Sequence, residues 1–311
     1  MQSLLVLAVV GFFAQFVDGA LGMAYGVTST TLLLAVSISP AQASASVHLA
    51  EVGTTLFSGA SHWRFGNVDW RTVRWIALPG AVGAFVGASL LGFVSTELAK
   101  PWMAALLLAL GVYVLARFGF SRAPRRRSGA IRARALASLG AVAGFIDATG
   151  GGGWGPVATP TLLASGRLAP RKVVGSVDTS EFLVSLAASL GFLWSLGRAG
   201  LVWEAVVGLL IGGLFAAPLA AWAVRMVTPR LLGVSVGGLI ILTNGRTLAL
   251  EAGIPIEART VMYLAIVGMW AALVVGAWRS RRRDAVHDWD EPDARGVVPV
   301  RVTADGPGGR Y

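Results

Sequence analysis

Cysteine is absent from this chain, histidine is scarce and charged residues are few. Without cysteine there are no disulfides, thiolate metal ligands or catalytic thiols. The three histidines, His48, His62 and His287, form no ligand pair at helical spacing, which argues against a zinc site. Only 14% of the 311 residues are charged, 55% are hydrophobic and the mean hydropathy is +0.69. This composition excludes a soluble globule and indicates a polytopic membrane protein.

Several functional motifs are also missing. We find no nucleophile–base pair, no metal-ligand cluster and no Walker-type Gly-Lys-Thr/Ser, so we expect neither an enzyme nor an ATP-driven pump, and no cofactor. The net charge of +10 comes from arginines that lie between apolar runs, and therefore it does not predict a nucleic-acid partner. The chain should instead be surrounded by a lipid bilayer.

Apolar runs of membrane-spanning length fill most of the chain. Seven are uninterrupted, at about 42–62, 72–94, 99–118, 172–197, 202–224, 229–249 and 257–278. Two longer runs, 2–36 and 135–165, are broken by glycine. We interpret each broken run as a hairpin of half-helices, which a membrane tolerates only where protein or a water-filled cavity surrounds the break.

The basic residues predict the orientation of these spans. If 121–134 is cytoplasmic and each hairpin returns to its own side, nearly all arginines between the spans fall in the cytoplasm, as the positive-inside rule requires. The opposite side receives only Lys100, Arg198, Arg246 and Arg259.

The two halves of the sequence match each other. A shift of 129 positions pairs Asp18 with Asp147, Gly22 with Gly151 and Gly26 with Gly155, and one further residue of shift pairs Glu51 with Glu181. Each half contains a hairpin plus three spans, an odd number of crossings, so the halves should be inverted repeats, as in many transporters.

The predicted fold is therefore an all-α polytopic membrane protein with two inverted repeats, each a glycine-broken helical hairpin plus three transmembrane helices, and one extra C-terminal transmembrane helix. Its segments are a first repeat (1–120), a basic cytoplasmic linker (121–134), a second repeat (135–249), the extra helix (250–278) and a disordered cytoplasmic tail (279–311).

The breaks are the candidate substrate site. A helix that begins after Gly153 exposes N–H groups that favour an anion, and the helix after Tyr25 could do the same in the other copy. Close helix packing is the alternative role for these glycines. The predicted substrate-binding residues are Gly150, Gly151, Gly152, Gly153, Trp154, Gly22 and Tyr25.

Acidic residues near the breaks are candidates for proton coupling, because carboxyl groups inside a membrane are costly. Glu51 and Glu181 lie on matching helical stripes, with a neutral hydrogen-bonded acid as the alternative. Asp18 and Asp147 occupy matching positions at the breaks, where capping of the following helix is the alternative that we favour slightly.

The duplicated glycine-rich hairpins, Gly140-x-x-x-Gly144 leading to Gly150-Gly151-Gly152-Gly153 and Pro156, and the looser copy at 16–23, resemble the sulfite exporter (TauE/SafE) family. The resemblance covers about residues 4–278. It implies a plasma-membrane secondary transporter that exports a small sulfur-containing anion, such as sulfite or an organosulfonate, with protons as the coupling ion. A passive anion channel and a non-transport membrane assembly factor stay as alternatives, and a homo-oligomer stays open.

Overall fold

The protein is entirely helical over the residues that its structure, a computed structural model, describes: 4–21, 23–120, 129–223 and 229–287. Its α-helices in chain order are α1 (Leu4–Leu21), α2 (Tyr25–Ala35), α3 (Pro40–Arg64), α4 (Trp70–Phe93), α5 (Thr96–Phe120), α6 (Ala133–Gly150), α7 (Trp154–Ala164), α8 (Pro170–Leu196), α9 (Trp203–Ala223), α10 (Pro229–Glu251) and α11 (Ile256–His287). A short 3₁₀ turn, Arg198–Gly200, connects α8 to α9.

Each of the seven uninterrupted runs forms one helix, from α3 to α5 and from α8 to α11. By length and composition, five helical stretches in the described residues could cross a membrane: Trp70–Phe93, Thr96–Phe120, Arg171–Leu196, Arg230–Glu251 and Ile256–Arg279. The helix α3 is not among them, because its sequence is rich in serine, threonine and other polar residues that the rest of the bundle buries.

The two broken runs form helix pairs, as predicted, but their arms are unequal. The first arms, α1 and α6, have 18 residues each, whereas the second arms, α2 and α7, have 11. At 1.5 Å per residue an 18-residue helix is about 27 Å long, close to the thickness of a hydrocarbon core. The first arm is thus almost a full span, and only the second is a half-helix.

Helices from the two halves of the chain pack against each other. The long arm α1 lies along α9 and α6 lies along α4, while α3 packs on α8 and α5 on α10. The last helix, α11, packs on α10 and leaves most of its surface exposed. The polar helices α3 and α8 therefore lie inside the bundle, next to both breaks.

Two predicted boundaries differ from the structure. The helix α6 begins at Ala133, inside the predicted linker, and α11 continues to His287, beyond the predicted end of the span at 278. The basic residues that follow the predicted span therefore do not end the helix. Most of the predicted linker (121–128) and the rest of the predicted tail (288–311) lie outside the described residues.

Candidate functional site

The second break adopts a backbone that glycine makes accessible. After α6 ends at Gly150, Gly151 has φ +69° and Gly152 has φ +145°, in regions that L side chains rarely occupy. In the first break Ala24 takes the corresponding left-handed conformation, with φ +95°, immediately before α2. The chain can reverse at both places without a long loop.

The two breaks touch each other. Gly152 lies directly on the backbone of Gly26 and Val27, and a Cβ atom on Gly152 would overlap the Val27 nitrogen. Beside this contact the hydroxyl of Thr30 donates a hydrogen bond to the carbonyl of Gly151. Close packing therefore explains Gly151 and Gly152, in addition to any contact with a substrate.

Aspartates cap both short helices. Oδ1 of Asp147 accepts hydrogen bonds from the Gly153 N–H (2.6 Å) and the Trp154 N–H (3.0 Å). In the first copy Oδ1 of Asp18 accepts one from the Tyr25 N–H (3.1 Å). Carboxylates therefore accept hydrogen bonds from some of the amide groups that we expected to be free for an anion.

A buried histidine holds Asp147 from the other side. His48 Nε2 lies 3.1 Å from Asp147 Oδ2, and His48 Nδ1 lies 2.7 Å from the Ser44 carbonyl oxygen. Because a carbonyl can only accept, Nδ1 donates, and the contact between Nε2 and Oδ2 then requires one further proton shared by the imidazole and the carboxyl. Both side chains are almost completely buried. The sequence placed His48 on the same stripe as Glu51, but we did not predict it as a site residue.

The acidic stripes of α3 and α8 face each other. Glu51 is buried, and its Oε2 accepts a hydrogen bond of 3.1 Å from the Ser185 hydroxyl. Glu181 lies one turn before Ser185 on α8, and its carboxyl makes no hydrogen bond to the described residues. The two glutamates that the repeat paired thus lie in one region, between α3 and α8.

A polar cavity of about 300 Å³ lies at the meeting point of these groups. We call it the central cavity. The chain segments that line it are the end of α1, the start of α2, the second half of α3, the second break and the start of α8. Its lining includes five carboxyl residues: Asp18, Glu51, Asp147, Asp178 and Glu181. No lysine or arginine lines it within the described part of the chain.

The predicted site residues divide into three groups around the central cavity. Its lining includes Tyr25, Gly152, Gly153, Trp154, Asp18, Glu51, Asp147 and Glu181. Gly150 and Gly151 are not in the lining, and Gly22 lies outside the described residues. Trp154 is completely buried, and its indole N–H donates a hydrogen bond to the Val177 carbonyl (3.0 Å). The ring therefore forms a fixed part of the cavity wall.

Three buried polar atoms in this lining have no hydrogen-bond partner among the described residues. They are the hydroxyl of Tyr25, Nδ1 of His62 and Oδ2 of Asp178. An unpaired buried polar group costs free energy, so these atoms are available to a ligand or water in the cavity. Among the described residues, no three histidine, aspartate or glutamate side chains are arranged so that they could hold a metal ion.

A polar cavity within a bundle of long apolar helices is the architecture of a multi-pass membrane transporter. A family model described as sulfite exporter TauE/SafE matches residues 7–247, and the chain belongs to that family. It is a membrane transporter and not an enzyme.

Two curated relatives come from Bacillus subtilis (strain 168). The chain is 51% identical to the probable membrane transporter protein YtnM, over 88% of this chain and 92% of the relative. It is 27% identical to the probable membrane transporter protein YdhB, over 62% of this chain and 78% of the relative. No solved structure matches this chain.

Proposed function

We propose that this protein is a secondary transporter that exports a small anion, sulfite or an organosulfonate, across the plasma membrane with coupling to protons. The observation that carries the proposal is the central cavity, where carboxyl groups line a space at the start of two short helices. The family description adds the class of anion.

The short helices supply the attraction for an anion. Tyr25 and Gly26 at the start of α2, and Trp154 and Gly155 at the start of α7, all line the central cavity. The first N–H groups of a helix lack intrahelical partners and favour negative charge by roughly 0.3–2 kcal/mol. The aspartate caps compete for some of these groups, so the anion binds best when a carboxyl releases its amides.

The carboxyl groups supply the link to protons. Like charges in a low-dielectric cavity repel strongly, so five ionised carboxylates would exclude an anion. Protonation of Glu51, Glu181 or Asp18 reduces this repulsion, and each further proton reduces it more. Binding of the anion and binding of protons therefore favour each other, which is thermodynamic coupling.

We further propose that the two halves are inverted repeats that alternate access by moving against each other, with segments at 1–120 and 135–249. The helix packing supports this proposal. In the repeat, α1 corresponds to α6, α3 to α8, α4 to α9 and α5 to α10, so the packed pair α1 and α9 has its counterpart in the packed pair α6 and α4. The packed pairs α3 with α8 and α5 with α10 each consist of two corresponding helices. The arginine distribution supports a cytoplasmic location for 121–134 and for the chain after α11.

Transport by the full chain in proteoliposomes tests the function. We expect saturable uptake of sulfite or sulfoacetate, above that of sulfate and acetate, which changes when a pH gradient is imposed. Replacement Glu181→Gln should abolish the effect of the pH gradient, whereas Glu204→Gln, an exposed carboxyl at the start of α9, should keep it. Flux that does not saturate and has no proton linkage would identify a channel. If no sulfur-containing anion moves, the proposed substrate class is wrong.

A further inference from the structure

A second cavity, of about 340 Å³, lies at the opposite end of α2 from the central cavity. We call it the outer cavity. It is lined by the ends of α2 and α10, the link from α2 to α3, and the starts of α3 and α5. Its polar lining residues include Ser39, Thr96, Lys100, Asn244, Arg246 and Thr247.

The charge of the outer cavity is opposite to that of the central cavity. Its lining contains the exposed side chains of Lys100 and Arg246 and, within the described part of the chain, no carboxyl group. Lys100 is paired with Glu251 at 2.6 Å, which uses part of its charge. Arg246 makes no hydrogen bond or ion pair within the described chain, so its guanidinium is free to bind a planar or tetrahedral oxyanion.

Two full-length helices begin at this cavity. The helices α3 and α5, of 25 residues each, start at Pro40 and Thr96. The side chain of Ser39 does not cap α3, because its hydroxyl donates to Gln42 Oε1 instead. The first amide groups of α3 thus add hydrogen-bond donors beside the arginine, whereas the dipoles of α3 and α5 are offset by those of α2 and α10, which end at the same cavity.

Buried polar side chains give the cavity a fixed wall. Asn244 is almost completely buried, and its amide donates to the Thr31 hydroxyl (3.1 Å) and to the Ile240 carbonyl (2.9 Å). Because Thr31 is on α2, this wall is continuous with the short helix that leads to the central cavity. A flexible surface patch would lack such a buried anchor.

We propose that the outer cavity is a separate anion-binding vestibule, in which Arg246 is the principal ligand of a small oxyanion. The proposal does not depend on which anion the central cavity carries. A free anion and a lipid phosphate share this chemistry, and we favour the free anion because the exposed Arg246 side chain lies over a cavity with a polar wall that includes the buried Asn244.

The absence of cysteine from the chain makes a direct test practical. Thr247→Cys places one thiol in the outer cavity, and Ser58→Cys places one in the central cavity. Each purified variant is labelled with two thiol reagents, the anionic sulfonatoethyl methanethiosulfonate and the cationic trimethylammonium-ethyl methanethiosulfonate. Each labelling rate is divided by the rate of the same reagent with a free thiol, and the ratio of the anionic to the cationic value is compared between variants. We expect the outer thiol to favour the anionic reagent by about tenfold and the central thiol to favour the cationic one.

Arg246→Gln in the Thr247→Cys background should bring the ratio close to one, and Arg246→Lys should keep it. The matched control is Arg198→Gln, an exposed arginine that is not in the lining, which should leave the ratio unchanged. An unchanged ratio in Arg246→Gln would overturn the proposal.

Protection by sulfate, at constant ionic strength with gluconate, separates the two sources of the oxyanion. We expect sulfate to slow labelling of the outer thiol in detergent and in nanodiscs that contain phosphatidylglycerol, and Arg246→Gln to remove the protection. Protection that disappears in the nanodiscs would assign the cavity to a lipid headgroup, and absence of protection in both would contradict an anion site.

Discussion

The two helix breaks carry an aspartate at the same position, but the structure uses the two aspartates differently. Asp147 is 1% exposed, accepts two backbone N–H groups and shares a proton with His48. Among the described residues, Asp18 accepts one N–H group and no histidine contacts it. Both aspartates line the central cavity, and the described bonds to Asp147 are more numerous than those to Asp18.

This difference suggests a division of labour between the copies. The second break, with its glycines and its bound aspartate, is a rigid support on which α2 rests. Asp18 has fewer bonds to the described residues, so we expect it to exchange a proton or an amide partner at a lower cost. Similar sequence positions in a repeat need not have similar roles, and four predictions test this contrast.

The largest effect should come from Asp147→Ala. It leaves two buried N–H groups without an acceptor and removes the partner of a buried histidine, so we expect a loss of about 3–5 kcal/mol in the free energy of unfolding. Asp18→Ala removes one cap and should cost about 1 kcal/mol. Thermal unfolding of both variants in the same detergent measures the difference. Equal losses would contradict the division of labour.

The next effect should come from Gly152→Ala, by about 2–4 kcal/mol, because the new Cβ meets the backbone of α2 and the φ of +145° is unfavourable for alanine. Gly150→Ala is the matched control. Its Cβ would meet only the Leu106 side chain at 3.5 Å, so the folded yield should stay close to that of the parent. If both variants fold equally well, the two breaks are not in the close contact described.

A smaller effect is the coupling between His48 and Asp147. Because the two side chains share a proton, the losses from His48→Ala and Asp147→Ala should not add, and a double-mutant cycle should give an interaction of about 1–3 kcal/mol. The same cycle with His48 and Asp18 should give a value near zero. A coupling of similar size for both aspartates would show that His48 does not distinguish the two breaks.

The smallest effect on stability should come from replacing either aspartate with asparagine. In Asp18→Asn and Asp147→Asn the side-chain oxygen still accepts the backbone N–H groups, and at 147 the new amide can donate to a neutral His48 Nε2. We expect changes below about 1 kcal/mol at both positions. If both variants unfold like the parent but their proton-linked transport changes, the charge of the aspartate acts in transport and not in capping. Unfolding of Asp147→Asn would show instead that the pair of His48 with Asp147 must be ionic.

Much of the helical framework could be predicted from the sequence. Apolar length alone placed α4, α5, α8, α10 and α11, because a membrane imposes a minimum span. The aspartate caps were also predictable, since Asp18 and Asp147 each precede a helix by a few residues and a short side chain finds the nearest free amides.

Other features depended on contacts between distant parts of the chain. The packing of Gly152 on Gly26, the pair of His48 with Asp147 and the bond from Ser185 to Glu51 join residues about 100 or more positions apart. A helical stripe shows which residues share a face but does not say what that face meets. The unequal arms of the hairpins were missed for a related reason, because a glycine marks where a helix breaks and not how far each arm extends.

The short helix α2 separates the two cavities, and its length sets the electrical distance between them. Its 11 residues span about 16 Å, roughly half the thickness of the hydrocarbon core. In a uniform field a unit charge that moves between the outer and central cavities therefore crosses at most about half of the membrane voltage, worth roughly 1 kcal/mol per 100 mV.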